Sequence, residues 1–353
     1  MGLFVGCTTV AAGSFLAGGC SSKEDGAAAP AASKGAAPTK PSADPTSSTE
    51  EHNYAVRKVY LGDSDRKGVA SGDAWRAYGF DLDGKKTATK DDASCKNANG
   101  TVADGDDGID NAFGSKILPL VTTVQKDVGK TTNDIIENGT ATIMISVKGI
   151  DDKAIPQTNT GLTAQLFGAG KFSDAGKPTW TTADDWPVRP ELLNGGTLAG
   201  GSAVAFSDAW IKDGQFSTGA PSKVRLQMQL FGNPIDITIH RAVIVFDHDA
   251  AGKAVNGTVA GVIETEELIA QATPLAGRAN TALCPGTELL DNVLQNLRNA
   301  SDMLVDGDDP SRDCNGISIG VGFEATEIGL PKTVAPPAGP PGPDPCTADA
   351  GTN

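Results

Sequence analysis

One stretch, Val224 to His240, constrains the fold more than any other part of this chain, because apolar and polar residues alternate through it. Gly232-Asn233 interrupts the alternation with residues that favour a two-residue hairpin turn. A turn there sets three apolar pairs on one face of an antiparallel hairpin: Leu226 with Ile239, Met228 with Ile237, and Leu230 with Ile235. The stretch therefore predicts a hairpin with one buried face.

The other face of this hairpin is polar, and two interpretations remain open for it. It is either the solvated side of an antiparallel sheet or a concave surface that binds a polar ligand such as a carbohydrate, as in lectin-like sandwiches. The candidate ligand-binding residues are Arg225, Gln227, Gln229, Asp236, Thr238 and His240. Trp180, Trp186 and Trp210 are either core residues or stacking platforms for such a ligand.

Strand patterns recur along the chain and outnumber helical ones. They cover residues 54–61, 140–149, 162–167, 202–210, 224–231, 235–246, 255–263 and 317–325. Helical spacing of apolar residues predicts helices from Ser115, as N-cap, to Val128, from Thr265 to Ala272, and from Thr287 to Val305. The predicted fold is mainly β, an antiparallel β-sandwich of jelly-roll or lectin-like type with two or three flanking helices.

The charge balance limits the partners of the chain. With 29 basic and 44 acidic residues the net charge is −15. This balance argues against nucleic acid as a partner, because phosphate binding needs a basic surface. Direct docking on anionic lipid headgroups is disfavoured for the same reason.

The amino terminus reads MGLFVGCTTVAAGSFLAGGC, uncharged and too short for a membrane span. Its Phe15-Leu-Ala-Gly-Gly-Cys20 run resembles the lipobox of bacterial lipoproteins, and Leu3-Phe-Val-Gly-Cys7 is a competing string. The resemblance implies that Cys20 is lipidated, that the lipid anchors the chain in a membrane, and that the protein belongs to the cell envelope. Ser21 after the cysteine resembles lipoproteins sorted to the outer membrane. The alternative is a soluble protein with a disordered start.

Composition divides the remaining chain into three parts. Residues 21–50 lack Val, Ile, Leu, Met and aromatic residues, which predicts a disordered tether after the 1–20 signal segment. Its thirty residues would reach on the order of 30 Å. Residues 51–330 read as one β-rich globular domain, and residues 331–353 as a proline-rich, extended tail.

Four further cysteines lie beyond the signal segment, and their spacing suggests no zinc site. An exported chain favours two disulfides. The preferred pairing is Cys284 with Cys314, which would clip a helix to its acidic loop and leave Cys95 with Cys346.

Short acidic, glycine-containing loops are the strongest sign of a cation site. In ADGDDGIDNAFG, the candidate calcium ligands are Asp104, Asp106, Asp107, Asp110 and Asn111. The competing interpretation is a solvated turn ahead of a helix, where acidic residues are favourable. The Asp81-Leu-Asp83-Gly84 string is a related variant, whereas Asp247 to Gly252 reads as a hairpin turn.

Catalytic patterns are weak. Gly316-Ile-Ser-Ile-Gly320 matches a nucleophile elbow but is followed by a strand-like segment rather than a helix. His52 is assigned to the tether, and His240 and His248 would be about 26 Å apart on one extended strand. We therefore expect a non-catalytic binding or structural module of the envelope, with calcium as a candidate cofactor and a carbohydrate or envelope protein as a candidate partner. The alternative is a secreted hydrolase on a lectin-like sandwich that uses a carboxylate pair.

Overall fold

The computed structural model describes residues 35–97, 99–173, 176–230, 233–249, 251–337 and 344–347. The strands are β1 Glu51–Tyr60, β2 Thr142–Lys148, β3 Asn159–Ala169, β4 Val204–Lys212, β5 Gln215–Ser217, β6 Ser222–Leu230, β7 Asn233–His248, β8 Lys253–Glu264 and β9 Gly316–Ile328. The α-helices are α1 Leu118–Val124, α2 Val128–Glu137, α3 Thr265–Ala279 and α4 Glu288–Asn299.

The strands form a closed antiparallel barrel. β1 to β5 pair in chain order, β5 pairs with β7, and β7, β8 and β9 lead back to β1. Eight strands close the barrel, and β6 is an extra strand on the free part of β7. The prediction of a mainly β chain with few helices is confirmed, but the prediction of a sandwich is wrong, since the sheet closes on itself rather than packing against a second sheet.

Closure depends on β5, which sequence analysis missed. Its three residues pair with Trp210 to Lys212 of β4 on one side and with Val245 to Asp247 of β7 on the other. All eight predicted strands are present, with shifted ends. A strand of three residues is too short to show the alternation by which strands are recognised, and without it the remaining strands form an open sheet.

Aromatic side chains pack around this closure. The Phe216 ring of β5 stacks on Phe246 of β7, with 4.7 Å between ring centroids. Phe246 also contacts Tyr54 and Phe323, at 5.4 and 6.4 Å. All four side chains are at most 2% exposed. The barrel interior is therefore a packed core, as expected for a small barrel.

The hairpin predicted from Val224 to His240 is confirmed as β6 and β7, but its register differs by two residues. Leu226 pairs with Ile237, Met228 with Ile235, and Arg225 with Thr238. The predicted turn residue Asn233 already belongs to β7, and residues 231 and 232 lie outside the described chain. A two-residue shift leaves each side chain on its predicted face, so the alternation alone could not distinguish the two registers.

The helices are only partly as predicted. The helix predicted from Ser115 to Val128 is divided: a π-helical turn, Phe113–Ile117, leads into α1, and Asp127 with a φ of 56° separates α1 from α2. Ser115 lies inside the π-helical turn and is no N-cap. The predicted start of α4 is confirmed, since the Oγ1 of Thr287 accepts a hydrogen bond from the backbone N–H of Leu290 at 3.3 Å.

Part of the predicted tether runs along the body. Pro45 forms a bridge with Thr160 of β3, and the hydroxyls of Thr46 and Ser48 each donate to backbone carbonyls of Gly149 and Ile150 at 2.8 Å. These polar residues are held by backbone groups at strand ends rather than by apolar burial. The predicted signal segment with Cys20, and residues 21–34 of the tether, lie outside the described residues.

Both expected disulfides are present, but the predicted pairing is wrong. Cys95 pairs with Cys314 and Cys284 with Cys346, with Cα atoms 5.2 and 5.4 Å apart. The pairing of Cys284 with Cys314 rested on closeness in sequence. Backbone hydrogen bonds instead bring Lys96 to Arg312 and Cys314, at 2.8 and 2.9 Å, and so place Cys95 beside Cys314.

A search for membrane-spanning helices among the described residues finds none of sufficient length and apolar character.

Truncation of the closing aromatic tests the importance of β5. We expect Phe216→Ala to lower the free energy of unfolding by about 3–5 kcal/mol, because it removes a fully buried ring from the core. Leu289→Ala is the control, since that α4 side chain is 47% exposed, and it should change stability little. Urea unfolding measures both. Equal effects of the two changes would contradict the assignment of β5 as the closing strand.

Candidate functional site

A cavity of about 330 Å³ lies outside the barrel core, between the loops that precede α1 and the loop that follows α4. Its wall includes the Cys95–Cys314 disulfide and three carboxyl groups, Asp104, Asp110 and Asp302. The disulfide ties the two loops together, so it also holds the two sides of the cavity.

Asp302 is placed by the first residues of β9. The backbone N–H of Ser318 donates to its Oδ1 at 2.8 Å, and the Ser318 hydroxyl donates to its Oδ2 at 2.5 Å. The same hydroxyl accepts a hydrogen bond from the N–H of Ala112 at 2.7 Å. Ser318 therefore connects the loop after α4 to the acidic loop before α1.

Asp110 links the cavity to a second acidic loop. Its side chain is 3% exposed and accepts a hydrogen bond from the N–H of Leu82 at 2.7 Å. One oxygen atom each from Asp81, Asp83 and Asp110 lie within 4.8 Å of one another. Asp81 and Asp83 each accept a backbone N–H of their own turn, from Gly84 and Lys85, which fixes both carboxylates beside Asp110.

Burial governs the electrostatics of the cluster. Desolvation raises the pKa of Asp110 to about 9, and the neighbouring carboxylates Asp83 and Asp302 add to this. Desolvation likewise raises the pKa of Asp104 and of Asp302 to about 7. Among the described residues, no basic nitrogen forms an ion pair within 4.0 Å of these three carboxyl groups. Their burial therefore favours either the protonated form or a bound cation beside them.

The geometry suits a hard cation. Calcium takes oxygen ligands from carboxylates and carbonyls of short flexible loops. Asp81, Asp83 and Asp110 offer three such oxygens from two loops. Asp104 and Asp302 supply further negative charge, since both interact electrostatically with the same acidic residues.

The five predicted calcium ligands occupy different places. Asp104 and Asp110 line the cavity, whereas Asp106 and Asp107 are exposed and form ion pairs with Arg76 at 3.1 Å and Lys86 at 3.5 Å. Asn111 is buried, and its Nδ2 donates to the carbonyls of Trp75, Tyr78 and Gly320. Asn111 thus joins the loop to the barrel, and calcium binding by this loop remains a prediction.

Three acidic residues of this site were not among the predicted ligands. Asp81 and Asp83 belong to a loop whose acidic pattern is visible in the sequence, but no local signal connects that loop to Asp110. Asp302 directly follows the α4 segment and has no acidic neighbour that marks it. Only the pairing of β9 with the rest of the barrel brings it to the cavity.

The predicted ligand-binding face of the β6–β7 hairpin is partly covered. Arg225 forms an ion pair with Asp236 at 2.7 Å, and the Thr238 hydroxyl donates to Glu267 of α3 at 2.8 Å. His240 is half-buried near the same helix. The side chains of Gln227 and Gln229 lie outside the described parts of the chain.

The three tryptophans are core residues, which was one of the two interpretations of the sequence. Trp180, Trp186 and Trp210 are 7%, 0% and 2% exposed. Stacking platforms for a surface ligand would need an exposed ring face, so these side chains are unsuited to that role.

A second polar cluster lies beside Tyr54 of β1 and includes two histidines. His248 forms two hydrogen bonds of 3.1 Å, through Nδ1 with the Tyr54 hydroxyl and through Nε2 with Asp152. Nδ1 of His52 forms a hydrogen bond of 2.8 Å with Glu327. The assignment of His52 to the tether is wrong, because it is 6% exposed within β1. Its hydrogen bond with Glu327 raises the pKa of His52. Tyr54 is fully buried, whereas the Asp152 side chain is 51% exposed, so the cluster extends from the core to the surface.

The buried carboxyl groups predict an unusual pH dependence. Burial raises the pKa of Asp110 to about 9, so its carboxyl group stays protonated at neutral pH in the folded chain, whereas in the unfolded chain it loses its proton near pH 4. In EDTA the free energy of unfolding should therefore fall as the pH rises from 5 to 8. Urea unfolding should show a smaller fall for Asp110→Asn, whose side chain can still accept the Leu82 N–H. Asp106→Asn, at an exposed position, should keep the original slope, and identical slopes in all three proteins would contradict the assignment.

Comparisons of the chain with models of known protein families, with curated proteins and with solved structures each found no match.

Proposed function

We propose that this chain is a non-catalytic binding or structural module of the cell envelope, and that the acidic cavity binds a divalent cation of the calcium type. The observation that carries the cation part is the convergence of Asp81, Asp83 and Asp110 within 4.8 Å. The absence of a basic partner for Asp110 in the described chain supports it, because a buried carboxylate needs a compensating charge.

A bound cation would act on stability. It would join the loop of Asp81 and Asp83 to the loop of Asp110, which otherwise repel each other when ionised. Because these loops lie between β1 and α1 in the chain, the cation would stabilise a part of the body that contains few regular elements. The oxygen ligands are of the kind that bind calcium in the short loops of other proteins.

A thermal melt of the full chain with intact disulfides tests the cation site. Calcium at a hundred times its dissociation constant should stabilise the chain by about 2.7 kcal/mol relative to EDTA, which raises the Tm by several degrees. Asp83→Asn and Asp110→Asn should each abolish most of this rise. Asp106→Asn is the matched control, since it removes one carboxylate of the same acidic stretch outside the cluster.

Two outcomes would contradict the proposal. The first is a Tm that calcium leaves unchanged in the unsubstituted chain. The second is hydrolysis of a glycoside or ester substrate that is lost in Asp104→Asn or Asp302→Asn. A carboxyl group with a pKa near 7 in a cavity is also suited to act as a general acid, so that second outcome would favour a hydrolase.

The location in the envelope rests on Cys20 and its neighbouring residues, which resemble a lipobox. The two disulfides support it, since such bonds are typical of oxidising compartments. On this proposal a lipid on Cys20 joins the chain to a membrane, because the net charge of −15 opposes direct contact with anionic headgroups.

Cell fractionation tests the anchor. In a bacterial host, the full chain should sediment with membranes, and Cys20→Ser should move it to the soluble fraction, because the acylated side chain is lost. Cys7→Ser is the matched control for the competing lipobox-like string and should leave the chain with the membranes. A soluble unsubstituted chain would refute the anchor.

A further inference from the structure

A second group of metal-ligating side chains lies on three elements that do not line the acidic cavity. His240 is on β7, Glu264 is the last residue of β8, and Glu267 is in the first turn of α3. The pairing of His240 with Val262 brings the end of β8 next to β7. One ligand atom from each residue lies within 4.8 Å of the other two, and all three side chains are half-buried.

The three side chains do not satisfy one another. Within the described chain, neither ring nitrogen of His240 has a hydrogen-bond partner. No carboxylate oxygen there lies within 4.0 Å of either ring nitrogen, the limit for an ion pair. The three ligand atoms therefore surround a gap. Around a tetrahedral ion with bonds of about 2.0–2.1 Å, ligand atoms are roughly 3.3–3.4 Å apart. The three ligand atoms lie within 4.8 Å of one another, so the side chains would move towards the ion on binding.

The backbone fixes the group from two sides. A β-bulge follows His240, where Arg241 has a φ of 52° and the register of β7 shifts against β8. Gly261 allows the close approach there, since a Cβ would lie 2.8 Å from the His240 carbonyl oxygen. Bulges change the direction of neighbouring side chains. Glu267 is held by the N–H and hydroxyl of Thr238, at 3.2 and 2.8 Å.

The start of α3 alone does not account for this arrangement. A glutamate in the first turn of a helix is favourable through the helix dipole, and this covers Glu267 and the exposed Glu266. It does not account for an unpartnered imidazole on a neighbouring strand. Glu266 has its own partner, Arg298, at 2.7 Å, whereas Glu264 and Glu267 form no ion pair with a basic side chain among the described residues.

We propose that His240, Glu264 and Glu267 bind a borderline divalent metal ion of the zinc class. One imidazole nitrogen and two carboxylate oxygens are ligands that zinc accepts, and three protein ligands leave a fourth position for water. The ion would neutralise the two carboxylates. The nitrogen ligand distinguishes this site from the oxygen-only acidic cavity, which suits calcium. The proposal does not depend on the function proposed for that cavity.

Metal titration of the full chain with intact disulfides tests the site. With ZnCl2 in chelator-free buffer, calorimetry should detect a binding event that weakens at least about tenfold in His240→Ala, since even loss of a residue behind a ligand can cost that much. Glu264→Gln should weaken it likewise. Glu266→Gln is the matched control on the same turn of α3, and Asp110→Asn is the control for the acidic cavity, so both should keep the binding.

Cobalt gives an independent readout. Co²⁺ bound to a nitrogen and two oxygens with near-tetrahedral geometry should show visible absorption that His240→Ala abolishes and Glu266→Gln retains. His240→Gln, which keeps a polar side chain at the bulge, should also lose the band, so that loss cannot be ascribed to misfolding when its circular dichroism is unchanged. Zinc binding that survives both His240→Ala and Glu264→Gln would overturn the proposal, as would the absence of zinc binding in the folded, unsubstituted chain.

Discussion

The pairing of β5 with both β4 and β7 is the contact on which the architecture depends. Without it, β4 and the part of β7 that β6 does not cover would be open edges of a twisted sheet, with unpaired backbone groups available to other chains. With it, the sheet closes and Phe216 completes the aromatic core with Phe246 and Tyr54. Three residues therefore decide whether the chain has a barrel or an open sheet.

A filled barrel leaves the outer loops as the place for binding sites. The interior is occupied by aromatic side chains, whereas the acidic cavity and the group around His240 lie outside the core. The acidic cavity is assembled from loops, and the group around His240 from a bulge of β7, the end of β8 and the start of α3. The barrel acts as a rigid support for both. In the acidic cavity, the burial that raises the pKa of Asp110 is also what would make a bound cation favourable.

Much of the local structure was predictable from the sequence, and the long-range structure was not. The alternation of Val224 to His240 revealed the hairpin and its two faces, but a period of two residues cannot fix the register. The short β5 has no detectable pattern, which is why closure was missed. The cavity joins Asp110 to Asp81, Asp83 and Asp302, and the disulfide partners Cys95 and Cys314 are 219 residues apart. Such contacts follow from topology rather than from any local propensity.

The seam between β1 and β9 has a consequence for how the chain is made. Asn53 pairs with Ile328, so the first strand obtains its second neighbour only from the last one. A ribosome adding about 5–20 residues per second would need on the order of tens of seconds to synthesise the chain between them. Throughout that time one edge of β1 stays unpaired and the barrel stays open. Closure thus has to wait for β9, and until β9 is made the free edge of β1 is open to premature strand pairing.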